Sequence, residues 1–243
     1  VVDTGVDYTH PDLYLNIWLN QGELPAAFKA NLKDTDGDGR ITFRDLNNAA
    51  NSAYVTDVTG NGRIDAGDLL KDVRWNNGVD EDGNGYTDDL IGWDFINNDN
   101  DPMDDVGHGT HVAGIIAAQG GNGVGVAGVT WNTEIIAAKF IGPGGGLTSD
   151  AIRALDYVTQ ASQAAGAAKV VATNNSWGGG AGPQALQDAV ARGAQAGILF
   201  VAAAGNGGSD NIGDNNDTTP NYPSNFNTTV AAGYDAVIAV ASI

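Results

Sequence analysis

From Thr130 onward the sequence alternates short apolar runs with longer stretches in which apolar residues recur at helical spacing. The short runs are apolar on both faces, which is typical of parallel strands that helices cover on each side. We therefore predict an α/β fold: a doubly wound, mostly parallel sheet with helices on both faces. Such sheets place their sites beyond the carboxyl ends of the strands. The predicted strands are 135–140, 169–173, 198–203 and 237–241, and the predicted helices are 148–165 and 183–196.

The acidic side chains are concentrated in one part of the chain. Thirty Asp and Glu residues stand against eleven Lys and Arg residues, a net charge of −19, and eighteen of the carboxylates fall between Asp34 and Asp105. This charge argues against nucleic acid or an anionic membrane as a partner, because both repel an acidic protein. We predict one domain over 1–243, incomplete at both ends, with an acidic insertion at 31–91. The absence of cysteine excludes disulfides and thiolate metal sites.

Three segments carry side chains suited to acid–base chemistry. Asp3 follows two valines, which places a carboxylate where a buried strand ends, and His108 begins a helix of small and apolar residues. Asn206 lies between two glycines, after an apolar run. A buried carboxylate fixes the tautomer of an imidazole base, and an amide can donate to a developing oxyanion. Taken singly, each residue has a simpler interpretation, as a turn former or a packing residue.

Together and in this order, the three segments resemble the subtilisin-like proteases, or subtilases. The matching motifs are Val-Val-Asp-Thr-Gly-Val at 1–6, His-Gly-Thr-His-Val-Ala-Gly at 108–114 and Ala-Ala-Gly-Asn-Gly at 203–207. The resemblance implies that Asp3 orients the base, that His108 is the general base and then the acid, and that Asn206 lines the oxyanion hole. It implies a serine endopeptidase with an Asp-His-Ser triad, and a precursor with an N-terminal propeptide.

The resemblance also implies a groove for an extended polypeptide substrate. Segment 174–180 looks like the substrate-binding strand of the family, and segment 140–146 would pair with the peptide from the other side. Trp177 stands where the family often has a smaller apolar residue, which leaves the size of the adjoining pocket open. The candidate substrate-binding residues are Ser176, Trp177, Gly178, Gly142, Gly144, Ala204 and Gly205.

The nucleophile of the family lies in a Gly-Thr-Ser-x-Ala-x-Pro segment, and residues 1–243 contain no such segment. Ser242 is not a substitute, because it falls inside a strand pattern without a glycine turn or a following helix. We therefore expect no turnover from residues 1–243 alone. Two interpretations remain: an endopeptidase truncated before its serine, or a catalytically dead calcium-binding scaffold or peptide-binding pseudoprotease.

A sequence beginning at Asp34 matches the calcium loop of an EF-hand. It has oxygen ligands at positions one, three and five, glycine at six and a carboxylate at twelve. Aspartate instead of glutamate at position twelve shortens the last ligand, as in the loops of dockerins, which this one resembles. The candidate ligands are Asp34, Asp36, Asp38, Arg40 and Asp45.

Two further loops repeat this scheme at intervals of 23 residues. In the second loop Thr59 and Asn61 replace carboxylates, which predicts weaker binding. The third has Ile91 at position twelve, so that Asp88 or Asp89 would have to close it. The simpler interpretation of all three is a solvated acidic linker. The candidate ligands are Asp57, Thr59, Asn61, Arg63 and Asp68 in the second loop, and Asp80, Asp82, Asn84, Tyr86, Asp88 and Asp89 in the third.

We interpret the loops as sites for structural Ca²⁺, because carboxylates at this density repel one another unless a cation holds them. The shortened ligands suit a calcium-rich exterior, which predicts a secreted protein. The family resemblance implies one more site, formed by Asp12 and the turn at 122–126.

Overall fold

Eight strands form the framework of the protein, for which a computed structural model describes residues 1–164, 169–179, 181–207 and 213–241. In chain order they are β1 (Val2–Asp3), β2 (Gly92–Asp94), β3 (Ala137–Lys139), β4 (Ile141–Gly142), β5 (Gly145–Gly146), β6 (Ala172–Asn175), β7 (Leu199–Ala203) and β8 (Val237–Val240). Two parallel sheets have the orders β1-β3-β2 and β6-β7-β8, and β4 and β5 form an antiparallel hairpin. Since β1 lies beside β6, the two parallel sheets adjoin.

Helices flank these sheets. In chain order the α-helices are α1 (Ala26–Lys29), α2 (Phe43–Leu46), α3 (Ala66–Lys71), α4 (His108–Ala117), α5 (Thr148–Gln163), α6 (Gln184–Gln195) and α7 (Thr229–Ala232), with 3-10 turns at Tyr14–Asn16 and Ala49–Asn51. α5 buries Ala154, Leu155 and Val158 against a core that also contains Leu186 and Val190 of α6. The mixed α/β fold with parallel sheets predicted from the sequence is confirmed.

Several predicted boundaries differ from those of the structure, and two of the differences are informative. The strand predicted at 169–173 is β6 and continues to Asn175, because Asn174 and Asn175 pair with Val201 and Ala202 of β7. Asparagine is uncommon in strands, so the sequence pattern ended too early. Helix α5 begins at Thr148 as predicted but ends at Gln163, before the predicted end at 165, because the backbone is extended at Ala164.

The acidic segment packs on the same core as the parallel sheet. Phe43, Leu69 and Trp75 are buried in one cluster with Ile17 and Ala137. The segment is therefore anchored by apolar side chains, while its charged loops face solvent. Among the described residues, no helix combines the length and apolar character that a membrane crossing requires.

Helix α4 lies unusually close to the turn that follows β1. A Cβ atom on Gly109 would stand 2.1 Å from the carbonyl oxygen of Gly5. Gly5 has a φ of +105°, and a Cβ there would stand 2.5 Å from the carbonyl oxygen of Pro102. Both glycines are thus required by close backbone contacts.

We expect Gly109→Ala to lower the free energy of unfolding by about 1–3 kcal/mol or more, because its Cβ would overlap backbone atoms. Gly114→Ala is the matched control on the same helix, since a Cβ there meets no atom within 4 Å. It should raise the free energy of unfolding by about 0.5–1 kcal/mol through better helix propensity. Urea unfolding followed by circular dichroism measures both. Similar effects at the two positions would contradict the close contact.

Candidate active site

The centre of the candidate site is a hydrogen bond between Asp3 and His108. His108 Nδ1 lies 2.6 Å from Asp3 Oδ1. The Asp3 side chain is fully buried, whereas that of His108 is 51% exposed. In the neutral tautomer that carries its proton on Nδ1, facing the carboxylate, Nε2 is the nitrogen that can accept a proton. The structure thus brings together the first two predicted catalytic residues in the arrangement of an oriented general base.

Thr4 and Asp104 hold this pair in place, and the sequence analysis missed both. Thr4 Oγ1 accepts a hydrogen bond from the Gly109 amide and donates one to Asp104 Oδ1, each at 2.8 Å. Asp104 also accepts from the amides of Gly107 and Thr110, at the start of α4. Although burial alone would raise it, the hydrogen bonds from Thr110 and Gly107 hold the pKa of Asp104 below its usual value. The sequence does contain a signal for Asp104, because an aspartate just before a helix commonly accepts hydrogen bonds from the first amides of that helix.

Three adjacent parallel strands end in buried ionisable residues. Lys139 of β3 is in register with Asp3 of β1 on one side and Asp94 of β2 on the other. Its ammonium lies 3.2 Å from Asp94 Oδ2 and 3.4 Å from Asp105 Oδ2. Lys139 therefore neutralises the neighbouring carboxylates directly, and Asp3 makes its side-chain contact with His108.

Asn206 follows β7, the central strand of the second parallel sheet. It comes three residues after the strand ends, and its backbone turns at Gly205, which has a φ of +107°. Asn206 is exposed and lines an open cavity together with Ala204 and Gly205. The participation of Asn206 in one site with Asp3 and His108 stays a prediction.

The Trp177 side chain packs against the core, so its large ring fills space there. Its indole Nε1 donates to the carbonyl oxygen of Val2 at 2.9 Å, and its ring meets Phe140 edge-on with centroids 4.9 Å apart. The bond ties the segment after β6 to β1, one residue before Asp3. Ser176 and Gly178, on either side of Trp177, are available to a ligand only through backbone and small side-chain atoms.

Of the predicted substrate-binding residues, Gly142, Gly144 and Gly178 lie in the β4–β5 hairpin and in the loop after β6. Gly142 pairs with Gly145 in the β4–β5 hairpin, and Gly144 is exposed at its tip. Gly178 packs against Tyr222, whose carbonyl oxygen accepts a hydrogen bond from the Gly179 amide at 2.8 Å. Substrate binding by these segments stays a prediction. Gly180 and Ser242 lie outside the described residues.

The first acidic loop has the contacts of a calcium loop. Carboxylate oxygens of Asp34, Asp36 and Asp45 lie within 4.8 Å of one another. The Asp34 carboxylate accepts hydrogen bonds from the amides of Gly39 and Gly37, which hold its pKa below its usual value. Asp45, at position twelve, also caps α2. These residues fit a hard cation with oxygen ligands.

The second loop repeats these contacts with less charge. The Asp57 carboxylate accepts from the amides of Gly60 and Gly62, and Asp68 caps α3. Asp65 is engaged by the guanidinium of Arg63 at 3.2 Å. The weaker binding predicted from Thr59 and Asn61 stays a prediction.

The predicted closing residues of the third loop, Asp88 and Asp89, do not join Asp80 and Asp82. The Asp88 carboxylate accepts from the amides of Asn77 and Gly78 and faces Glu23 and Glu81. Asp89 is buried against the Tyr157 hydroxyl, 2.7 Å away, and burial raises its pKa to about 7. The turn at Asp88 has a φ of +56°, so no helix begins here as it does after the first two loops.

Side-chain amides bond the backbone of the eighth residue in each of the first two loops. In a pair of EF-hands, this residue would instead pair with the backbone of the other loop. Gln21 bonds both the amide and the carbonyl of Ile41, at 2.9 and 2.8 Å. Asn47 bonds both backbone groups of Ile64, at 2.8 and 2.7 Å. Arg40 points away from its loop, to Glu134 at 2.5 Å. Gln21 thus ties the first loop to the chain that precedes the acidic segment, and Asn47 ties the second loop to the end of α2. Arg63 attaches the second loop to the domain by donating to the carbonyl oxygen of Thr9.

Asp12 meets the turn at 122–126, as the sequence predicts. Asp12 is buried and accepts hydrogen bonds from the Asn122 amide group at 2.7 Å and the Val126 backbone amide at 2.9 Å. A Cβ on Gly125 would stand 2.3 Å from Asp12 Oδ2, so the turn needs glycine there. A cation in this position remains a prediction.

Comparisons with known proteins agree with the motifs. Thermitase of Thermoactinomyces vulgaris is 38% identical over 140 residues, which are 58% of this chain and 45% of thermitase. Subtilisin-like protease 1 of Plasmodium vivax is 32% identical over 158 residues, which are 65% of this chain and 17% of that protein. The chain thus spans less than half of each relative.

Among solved structures, a cold adapted subtilisin-like serine proteinase is 39% identical and covers 47% of this chain and 38% of its own, with a TM-score of 0.40. The sequence profile of the subtilase family matches residues 1–243. The chain belongs to the subtilase family.

Proposed function

We propose that the protein containing this chain is a serine endopeptidase that hydrolyses peptide bonds by acyl transfer. The observation that carries the proposal is the 2.6 Å contact of a fully buried Asp3 with a half-exposed His108. Membership of the subtilase family supports the same reaction class. An extended polypeptide is the proposed substrate, bound between segments 140–146 and 174–180, with a propeptide in the precursor.

Each residue of the site has one role in the proposed mechanism. His108 Nε2 accepts the proton of a serine hydroxyl as that oxygen attacks the peptide carbonyl, and then donates the proton to the leaving amine. Asp3 keeps the Nδ1 proton in place and stabilises the imidazolium that forms. The Asn206 amide donates to the oxyanion, an interaction whose removal typically raises the barrier by roughly 2.7–4 kcal/mol. The serine belongs to a segment type that residues 1–243 do not contain.

We further propose that the acidic loops bind structural calcium and that the protein works outside the cell. Support comes from the converging carboxylates of Asp34, Asp36 and Asp45 and from the net charge of −19. When bound, calcium neutralises this charge and holds each loop in one conformation. The aspartates at position twelve suit a calcium-rich medium, which supports secretion.

We expect Asp3→Asn to lower kcat about 10⁴-fold, because an amide at this place selects the histidine tautomer with a protonated Nε2. Peptide hydrolysis by the protein made from the whole gene measures this. Asp156→Asn is the control, since Asp156 forms an exposed ion pair with Arg192 at 2.8 Å. It should leave kcat unchanged.

A fluorophosphonate probe on the same protein tests the reaction class, because it labels an activated serine. Labelling that Asp3→Asn weakens and Asp156→Asn preserves is the expected result. No labelling of the unmutated protein would contradict the endopeptidase, and would favour a calcium-bound scaffold or a peptide-binding pseudoprotease.

Chelation of calcium should lower the melting temperature, because an ion present at 100 times its Kd stabilises the folded state by about 2.7 kcal/mol. Asp36→Asn should reduce this calcium-dependent shift, since Asp36 is an exposed ligand whose replacement leaves the core intact. Asp188→Asn, on the exposed face of α6, removes the same charge and should not. Calorimetry with calcium or chelator measures the shifts. An equal melting temperature with calcium and with chelator would refute the calcium proposal.

A further inference from the structure

The third acidic loop begins like a calcium loop but has no ligand at position twelve. Asp80 accepts hydrogen bonds from the amides of Gly83 and Gly85, at 2.7 and 2.9 Å. Asp34 and Asp57 make the same two contacts at positions four and six of their loops. Position twelve, however, is Ile91, which is buried and has no side-chain oxygen. The closing ligand must therefore come from elsewhere in the chain.

Glu23 is the side chain that fills this place. It is 1% exposed, and its Oε2 atom is buried without a hydrogen-bond partner among the described residues. One carboxylate oxygen each from Glu23, Asp80 and Asp82 lies within 4.8 Å of the other two. A buried, unpaired carboxylate oxygen is strongly unfavourable unless a cation or a donor satisfies it.

The contacts of Glu23 reproduce those of a position-twelve residue. In the first two loops that carboxylate accepts a backbone amide from position two or three: Asp45 from Thr35 at 2.7 Å, and Asp68 from Thr59 at 2.8 Å. Glu23 Oε1 accepts the amide of Asp82, at position three, at 3.1 Å. The same hydrogen bond is thus made by a residue that precedes the loop by 57 positions.

The segment around Glu23 is shaped to approach the loop. A Cβ on Gly22 would stand 2.4 Å from Asp82 Oδ2, so that only glycine allows this contact. Asn20 donates to Asp82 and to Asp89, at 3.2 and 3.0 Å. Among the ion pairs of the described residues, none involves Glu23, Asp80 or Asp82. Three carboxylates therefore converge without a positive side chain.

We propose that Glu23, Asp80 and Asp82 bind one calcium ion, with Glu23 as the closing ligand of the third loop. The inference rests on the proposed calcium binding and adds a ligand from outside the acidic segment. The ion would link the chain at 20–23, which follows the buried Trp18 and Leu19, to the loop at 80–85. Hard oxygen ligands and a long, flexible glutamate suit Ca²⁺ in such a site.

The test counts calcium ions on the protein made from the whole gene by isothermal titration with CaCl₂. Glu23→Gln should weaken one site by about tenfold or more while leaving the others unchanged. Asp80→Asn should weaken the same site. The double variant Glu23→Gln, Asp80→Asn should therefore lose one site only. Asp188→Asn controls for the lost unit of charge.

Stability provides a second measurement that separates ligation from packing. Without calcium, Glu23→Gln should be at least as stable as the unmutated chain, because it removes repulsion among three carboxylates. With saturating calcium it should be less stable. Destabilisation of equal size in both conditions would mean that Glu23 is only a structural hydrogen-bond acceptor, and would overturn the proposal.

The outcomes also separate this inference from the wider calcium proposal. If the unmutated chain binds no calcium, calcium binding fails as a whole. If it binds calcium and Glu23→Gln binds the same number with the same affinities, or if the double variant loses two sites, the assignment of Glu23 is wrong while the other loops stand.

Discussion

The close approach of helix α4 to the turn after β1 is the contact on which the candidate site depends. Gly109 and Gly5 allow the two backbones to meet, and Thr4 then accepts the Gly109 amide. This contact places His108, the preceding residue, within 2.6 Å of Asp3. A larger residue at either glycine would separate the acid from the base. The geometry of a side-chain pair thus rests on two positions that carry no side chain.

Electrostatic balance shapes the rest of the molecule. At the sheet edge, Lys139 offsets Asp94 and Asp105 within the protein. In the acidic loops the offset is incomplete, since backbone amides satisfy the first carboxylate of each loop while others converge without a positive side chain. Amides point their dipoles at a carboxylate and do not cancel its charge. The calcium ions proposed above would supply the remaining positive charge.

Local sequence patterns predict the helices and strands, but they fail where a contact with a distant part of the chain determines the structure. The two long helices were found because their apolar residues recur on one face, and β7 because it is strongly apolar. The predicted strand ends before β6 does, because the last two residues of β6 are asparagines. They belong to the strand only through their pairing with β7. Trp177 was assigned to a pocket by its neighbours in sequence, yet its indole bonds the carbonyl of Val2, 175 residues away.

The sequence by itself determined the α/β class, the Asp, His and Asn motifs and the spacing of three acidic loops, because each is written in consecutive residues. Only the tertiary structure decided which side chains complete them. Thr4 and Asp104 fix the histidine helix, Gln21 and Asn47 brace the first two loops, and Glu23 approaches the third. These contacts join residues far apart in the chain. No local periodicity encodes such distances, since they exist only once the core has packed.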